Sequence, residues 1–304
     1  MKAVEFDRFG GSDVLALVDR PAPAPGPGEI AIDVHAVSVN PVDAKVRAGM
    51  IPHLAAALPM GTGRDGAGIV TALGAGVPQD WLGRPVAFLA ARGQGAWAET
   101  VAVPLANAAP VPDGLAMASA AALPLAGVSA WIGLVETGGV APGMSVLIQA
   151  AAGGIGHLAV QIARARGAQV WGTSSSRNAD FVAGLGAMPV PHDAPAPDLP
   201  PMDLVFDLMG GPHHAACCAM LRPGGHLVAL NAAPFQDVSA DHGVTLTIPE
   251  IVPGTGALAH VLDLAAAGGL HVEIADTLPF SAFAEAQDRI ATGRTRGKIV
   301  LTLK

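Results

Sequence analysis

Along the first third of the chain, apolar positions come in short runs separated by glycine and proline. Residues 1–6 and 14–18 predict strands, and residues 21–28 (PAPAPGPG) form a stiff loop. The run Glu29–Val39 (EIAIDVHAVSV) alternates polar and apolar residues, the pattern of a strand with one face buried. Further strands are predicted over 68–73, 84–90 and 98–103, a spacing that predicts a β-rich barrel or sandwich-like unit. Near residue 115 the period changes. A helical stretch runs to about residue 136, then strand 145–149, helix 155–166, strand 169–173 and helix 179–185. Strand 204–208, a helix through residue 220 and strand 226–230 follow, and the alternation predicts βαβ units with a parallel sheet covered on both faces. The tail predicts helices over 257–267 and 281–292 and a last strand over 297–303, and the Ala/Pro-rich stretch 189–201 reads as a loop.

Composition changes this picture only in part. A chain of 304 residues makes two domains the default, and 51% apolar residues supply a large core. Charged residues are 14% of the chain, below the usual quarter, and tyrosine is absent, which removes one common proton donor. A net charge of −8 with no basic stripe argues against a nucleic-acid surface. The two cysteines, Cys217 and Cys218, are neighbours and make no disulfide framework, which fits a reducing compartment. Residues 114–135 (GLAMASAAALPLAGVSAWIGLV) are uncharged and long enough to span a bilayer. They are mostly Ala and Gly, are interrupted by Pro124 and lack flanking Lys or Arg, so no membrane span is expected. The opening MKAVEFDRFGG has no apolar core of a signal peptide, and a cytoplasmic location is expected.

The sharpest chemical signal follows the apolar strand at 144–149. Ala151, Gly153 and Gly156 in the run Ala151-Ala152-Gly153-Gly154-Ile155-Gly156 stand at the spacing G-x-G-x-x-G, with alanine in the first slot. Gly153 lets backbone approach a pyrophosphate, Gly156 lets the next helix pack against the strand, and the free N–H groups of the helix start meet the negative charge. A dinucleotide-binding turn is the expectation, since strand and amphipathic helix flank it. Cofactor choice is read at the end of the next strand, where QVWGTSSSRN (169–178) lacks the Asp or Glu that holds a ribose 2′-hydroxyl. Thr173, Ser174, Ser175, Ser176 and Arg177 stand there instead, and a guanidinium with neutral donors suits the 2′-phosphate of NADPH. The same residues also suit a polar loop with Asn178 as a helix N-cap.

With these residues in view the chain resembles the medium-chain dehydrogenase/reductase superfamily, in its zinc-independent quinone oxidoreductase (zeta-crystallin-like) branch. The resemblance rests on VSVNPVDAKVRAG (37–49), GRDGAGIVTALGAGV (63–77), LPLAGVSAW (123–131), APGMSVLIQAAAGGIGHLAVQIARARGA (141–168), LRPGGHLVAL (221–230) and RGKIVLTLK (296–304), in that order over nearly the full length. It implies an α/β fold: a GroES-like β-rich catalytic domain over 1–115, a Rossmann nucleotide-binding domain over 116–255, and a segment 256–304 returning to the catalytic domain. It also implies a cofactor in the cleft between the domains and a homodimer. By the same resemblance Asn40 lies in the active site near the nicotinamide, and Ser129, Met209, Gly210, Asn231 and Lys298 lie along the cofactor. Asn40-Pro41 also reads as the start of a turn, with Asp43 capping a short helix.

The zinc alcohol dehydrogenases of that superfamily need cysteine and histidine ligands. Here both cysteines lie at 217–218, and the place where a Gly-His-Glu would supply a metal histidine reads Gly63-Arg64-Asp65-Gly66. No metal site is therefore expected: His213 and His214 are adjacent and point to different faces, and His53 reads as a pocket or surface residue. Arg64 and Asp65 are expected to form a structural ion pair. The expected activity is hydride transfer from NADPH to a quinone or an α,β-unsaturated carbonyl, where proximity and donors for the developing oxyanion suffice. Asn40, Lys45, Arg64 or water are the candidate proton sources. Two other readings stay open: an enoyl-thioester reductase of polyketide or fatty-acid type, and a NADPH-binding protein with little turnover.

Overall fold

The computed structural model describes residues 1–192, 198–230, 234–252 and 256–304. In chain order its first elements are β1 (Lys2–Phe6), β2 (Ala16–Asp19), β3 (Glu29–Val39), α1 (Pro41–Arg47), β4 (Met60–Gly61), β5 (Asp65–Leu73), β6 (Pro85–Leu89), β7 (Thr100–Pro104), β8 (Ala108–Pro110) and α2 (Met117–Ala122). There follow α3 (Pro124–Trp131), β9 (Ser145–Ile148), α4 (Gly156–Ala165), β10 (Gln169–Ser174), α5 (Ala179–Gly184), β11 (Met188–Pro191), β12 (Met202–Asp207), α6 (His214–Met220), β13 (Leu221–Ala229) and β14 (Thr245–Thr247). The tail holds α7 (Ala257–Ala266), β15 (Ile274–Pro279), α8 (Phe283–Ala291) and β16 (Lys298–Thr302). Two units emerge. The first comprises Met1–Leu125, Pro253–Ala267 and Val272–Lys304, and the second Ala126–Val252 with Gly268–His271.

The first unit is β-rich. Its main sheet runs β15-β16-β3-β5-β6-β8, with β7 also paired to β3, and a smaller sheet runs β2-β1-β4. The central strand β3 is more buried than its alternating sequence predicts, because it pairs with β5, β7 and β16 and carries two register shifts against β5. The strand predicted over 68–73 begins earlier, at Asp65, which pairs with Leu89. That extension depends on Gly66, where an added Cβ would sit 2.7 Å from the Ala36 carbonyl oxygen, so only glycine admits so close a neighbouring strand. The last strand pairs antiparallel with β3, setting Ile299 opposite Val39. The helical stretch expected up to residue 136 is broken. Pro124, which has no N–H to continue α2, starts α3, and a wide-pitched π turn over Ile132–Thr137 closes the run. No helix among the described residues is long and apolar enough to cross a membrane.

The second unit is a parallel sheet in the order β11-β10-β9-β12-β13-β14. Counted from β9 within this unit the order is 3-2-1-4-5-6, that of doubly wound dinucleotide folds, with the reversal between β9 and β12. The apolar run β9 is buried along Val146, Leu147 and Ile148, as a strand covered on both faces requires. One core cluster joins Leu147, Trp171, Met202, Val205, Leu227 and both cysteines. The proline-rich stretch read as loop contributes β11, which lies in register with β10.

Candidate functional site

In the second unit, three neighbouring strands deliver their carboxyl ends to one edge of the sheet. After β9 the chain turns through Ala150, a non-glycine residue at φ 48°, into the glycine run and α4. The Gly153 N–H donates to the Ala150 carbonyl at 2.8 Å. An added Cβ on Gly156 would lie 2.1 Å from that same oxygen, well inside any tolerable contact, so the close packing demanded of this glycine is real. His157, buried behind the turn, donates from Nδ1 to the Gly153 carbonyl at 2.8 Å, which fixes its tautomer and holds the loop. Ala151, Gly153, Gly154, Ile155 and Gly156 thus form a backbone cradle at a helix start, with no side chain longer than a methyl at positions 151–154.

The end of β10 is tied to this cradle. Thr173 accepts the Ala150 N–H on Oγ1 at 3.1 Å, and its carbonyl accepts the Ala151 N–H at 2.8 Å. An added Cβ on Gly172 would meet the Ala151 methyl at 2.6 Å, so this contact also needs a glycine. Ser174 is buried with its hydroxyl on the Ser175 carbonyl, Ser175 is half-buried, and Ser176 and Arg177 are exposed. Asn178 stands at the N-cap of α5 but makes no capping side-chain bond, and donates to Ser175 instead. No carboxylate occupies 173–178.

At the end of β12, the Asp207 Oδ1 accepts the N–H groups of Met209 and Gly210, both at 2.8 Å, and shapes that turn. Met209 is exposed, and Gly210 takes φ 62°, a left-handed conformation that favours glycine. Sequence reasoning passed over Asp207, whose place at a strand end before Gly-Gly was the available signal. Ser129 is buried on α3. Asn231 lies outside the described residues.

The β-rich unit holds a buried polar centre of its own. Asn40, at the end of β3, is oriented by charge on both sides. Its Oδ1 accepts Lys298 Nζ at 2.5 Å, while its Nδ2 donates to Asp65 Oδ1 at 2.8 Å and to Ser38 Oγ at 3.1 Å. Ser38 donates in turn to Asp65 at 2.6 Å. The other Asp65 oxygen accepts the Leu125 N–H at 2.8 Å, a donor left free because it sits in the first turn of α3 beside Pro124. Ser38, Asn40, Asp65 and Lys298 are all buried. Burial lowers the Lys298 pKa, with Asp65 and Asp43 opposing that shift.

The expected ion pair between Arg64 and Asp65 does not form. Asp65 is taken up by Ser38, Asn40 and Leu125, while Arg64, the next residue along the chain, sends Nε to the Ala90 carbonyl at 3.2 Å. Arg64 lines a small cavity with Asp43, Thr62, Arg92 and an apolar wall that includes Phe6, Val46 and Met60. Asp43 caps α1 by accepting the Asn40 N–H at 2.9 Å, as read from sequence. Its carboxyl is also pushed up to about 7, first by burial and then by the Asp65 charge, against the bond from Asn40 and the charges of Arg64 and Lys298. Asn40 has both amide hydrogens and its oxygen engaged, and Lys45 is half-buried away from this cavity. His53 is exposed, as is His213, whereas His214 is buried and stacks on Phe235 with ring centroids 4.1 Å apart.

Two family models match this chain. Residues 26–113 match the alcohol dehydrogenase GroES-like domain, and residues 185–301 match the model described as zinc-binding dehydrogenase. A chloroplast envelope quinone oxidoreductase homolog from Arabidopsis thaliana is 30% identical over 99% of this chain and 98% of its own length. The chain belongs to the medium-chain dehydrogenase/reductase superfamily, in its quinone oxidoreductase branch. The human synaptic vesicle membrane protein VAT-1 homolog is 34% identical over 77% of this chain, which spans 61% of that relative's length. A polyketide synthase from Streptomyces halstedii is 34% identical over 91% of this chain and 5% of its own length. Among solved structures, the quinone oxidoreductase of Coxiella burnetii superposes with a TM-score of 0.89 at 31% identity, covering 100% of this chain and 99% of that one. The Escherichia coli quinone oxidoreductase, solved in complex with NADPH, gives a TM-score of 0.90 at 26% identity over 99% and 100% of the two chains. As for the zinc in one model's description, among the described residues no group of three or more His, Cys, Asp or Glu is placed to hold a metal ion.

Proposed function

We propose that this protein is an NADPH-dependent reductase that passes hydride to a quinone or an α,β-unsaturated carbonyl without a metal. The observation that carries the reading is the end of β10, where Thr173 is bonded to the glycine cradle and exposed Arg177 follows a run of serines with no carboxylate among them. The cradle fits the cofactor: positions 153 and 156 have no side chain, and a Cβ at 156 would collide with the Ala150 carbonyl. The backbone N–H groups at the start of α4 would hold the pyrophosphate, Arg177 and the serine hydroxyls would take the 2′-phosphate, and the Met209-Gly210 turn would flank the nicotinamide half. NADPH supplies the hydride.

The chain's own part in the acceptor chemistry falls to the β-rich unit. Reducing a quinone to a hydroquinone, or saturating an enone, takes up one hydride and one proton. Asp43 is the group whose carboxyl holds a proton near neutral pH beside the cavity, in a chain without tyrosine. Lys298 and Asn40 form a fixed, buried dipole–charge pair that would steady negative charge developing on a carbonyl oxygen. Side chains at 40, 43 and 298 supply these roles with no thiolate and no imidazole.

The test is NADPH oxidation with a panel of quinones, enones and enoyl thioesters, together with Arg177→Ala. The variant is expected to raise the KM for NADPH far more than the KM for NADH, and equal effects would refute the 2′-phosphate assignment. The similarity to a polyketide synthase segment favours a second reading, an enoyl thioester as acceptor, which preferential turnover of thioesters would establish. Micromolar NADPH binding with no turnover of any acceptor would leave a binding protein.

A further inference from the structure

We infer that the cavity lined by Arg64 and Arg92 binds a carboxylate carried by the acceptor, so that the physiological substrate is an anionic conjugated carbonyl compound; this rests on the reductase reading above. The cavity belongs to the β-rich unit alone, between α1, the loop leading to β5 and the loop after β6. The cavity is small and open to solvent, with enclosed room for one or two waters or for the two oxygens of a carboxylate. One wall is apolar, with Phe6, Val42, Val46, Leu54 and Met60, and the other end is polar, with Asp43, Thr62, Arg64 and Arg92. A substrate with an apolar body and an anionic end matches both.

Charge makes the case specific. The chain carries 17 basic against 25 acidic residues, yet two of the basic ones meet at this one cavity. Neither Arg64 nor Arg92 forms an ion pair among the described residues, a property shared with Arg47, Arg164 and Arg166, but only Arg64 and Arg92 line this cavity together, whereas Arg8, Arg20, Arg84, Arg222, Arg289 and Arg296 are all paired. Arg64 uses only Nε within the protein, on the Ala90 carbonyl, which leaves its two terminal nitrogens as donors. A bidentate carboxylate needs such a pair of parallel N–H groups. Burial holds the Arg64 guanidinium below its ordinary pKa, with the Asp43 and Asp65 charges opposing that shift and the Arg92 charge adding to it, and an incoming anion would relieve the remaining cost. Asp43 is only a partial counter-ion, because burial pushes its carboxyl up to about 7, so that it is half protonated at that pH and increasingly so below it.

The experiment compares an enone carboxylic acid with its methyl ester, using the full chain and saturating NADPH. The acid is expected to have a kcat/KM at least tenfold above the ester, about the discrimination that one charge-assisted pair supplies. Arg92→Gln and Arg64→Gln are each expected to lower the acid-to-ester ratio about tenfold, and Arg→Lys at either place to restore part of it. Arg92 is exposed, so its variant tests the idea even where Arg64→Gln fails to fold. A wild-type ratio near one, or a ratio that neither variant changes, overturns the inference while leaving the reductase reading intact. Should neither compound be reduced, the panel of quinones, enones and enoyl thioesters decides the reductase reading, and binding of the saturated acid in the presence of NADP⁺, followed by titration calorimetry, decides this one. Binding that Arg92→Gln weakens supports it, and no binding overturns it.

Discussion

The carboxyl of Asp43 makes a prediction whose size follows from its surroundings. It is buried at the start of α1, it accepts a single N–H from Asn40, and its pKa moves from 3.8 to about 7. In the unfolded chain the same group ionises near its ordinary value of about 3.9. Between these two pH values the unfolded chain has lost a proton that the folded chain keeps, so stability falls as pH rises through this window and is level above it. The full window corresponds to about 4 kcal/mol, and the part between pH 5 and pH 7 to about 2 kcal/mol. Asp43→Asn keeps an oxygen to accept the Asn40 N–H and cannot ionise, so it removes this contribution while preserving the cap. Urea unfolding of both proteins at pH 5, 6, 7 and 8 measures it. The variant is expected to gain on wild type steadily from pH 5 to 7 and no further beyond. A difference independent of pH, or one that shrinks as pH rises, would refute the claim that Asp43 is held protonated by burial.

Two further predictions concern the second unit. Gly156→Ala must push its new methyl away from the Ala150 carbonyl, 2.1 Å from the unrelaxed position, and is expected to cost about 1–3 kcal/mol and to weaken NADPH binding at least tenfold. Gly184→Ala, where nothing lies within 4 Å, is the control and is expected to leave binding unchanged and gain about 0.4–1 kcal/mol; equal behaviour of the two variants in thermal melts and fluorescence titration would dismiss the close-packing role of Gly156. Cys217 and Cys218 are buried in the core of this unit, and burial raises both thiols above their ordinary pKa. An aromatic disulfide reagent at about pH 8 is therefore expected to label neither until the protein is denatured, and labelling of the native protein within minutes would contradict their placement.

What could be read from the sequence was local. The glycine cradle is written in consecutive residues, and its flanking strand and helix announce themselves by hydrophobic period, so Ala151 to Gly156 were visible at once. The polar centre of the β-rich unit was not, because it joins Asn40 to Lys298 across 258 residues and to Asp65 across 25. Family resemblance supplied Asn40 and Lys298 as separate positions; only the fold shows that one carries the other's hydrogen bond. Adjacency also misled. Arg64 and Asp65 look like an ion pair in one dimension, but consecutive residues at the start of a strand face opposite ways, and each found other partners. Asp43 was legible as a cap, since capping follows from a three-residue spacing, while its burial, and hence its protonation, depends on packing that the spacing does not encode. The strand β15 escaped notice because its six residues, IADTLP, carry a weak alternation that becomes a strand only when β16 lies beside it.

Where metal-dependent members of the superfamily are expected to offer a histidine, this chain has Arg64, a guanidinium with five donors and no lone pair to give a metal. Where the neighbouring carboxylate could face an ion, Asp65 is held by Ser38, Asn40 and the Leu125 N–H. Positive charge at this place is carried by the protein itself, in Arg64, with Lys298 buried in the same unit and its pKa lowered by that burial against the pull of Asp65 and Asp43. A fixed cation differs in kind from a coordinating one. It attracts negative charge that a substrate brings, or that appears on oxygen as hydride arrives, but it does not bind an alcohol oxygen directly and so does little to strip its proton beforehand. That asymmetry favours reduction of an activated carbonyl system over oxidation of a simple alcohol.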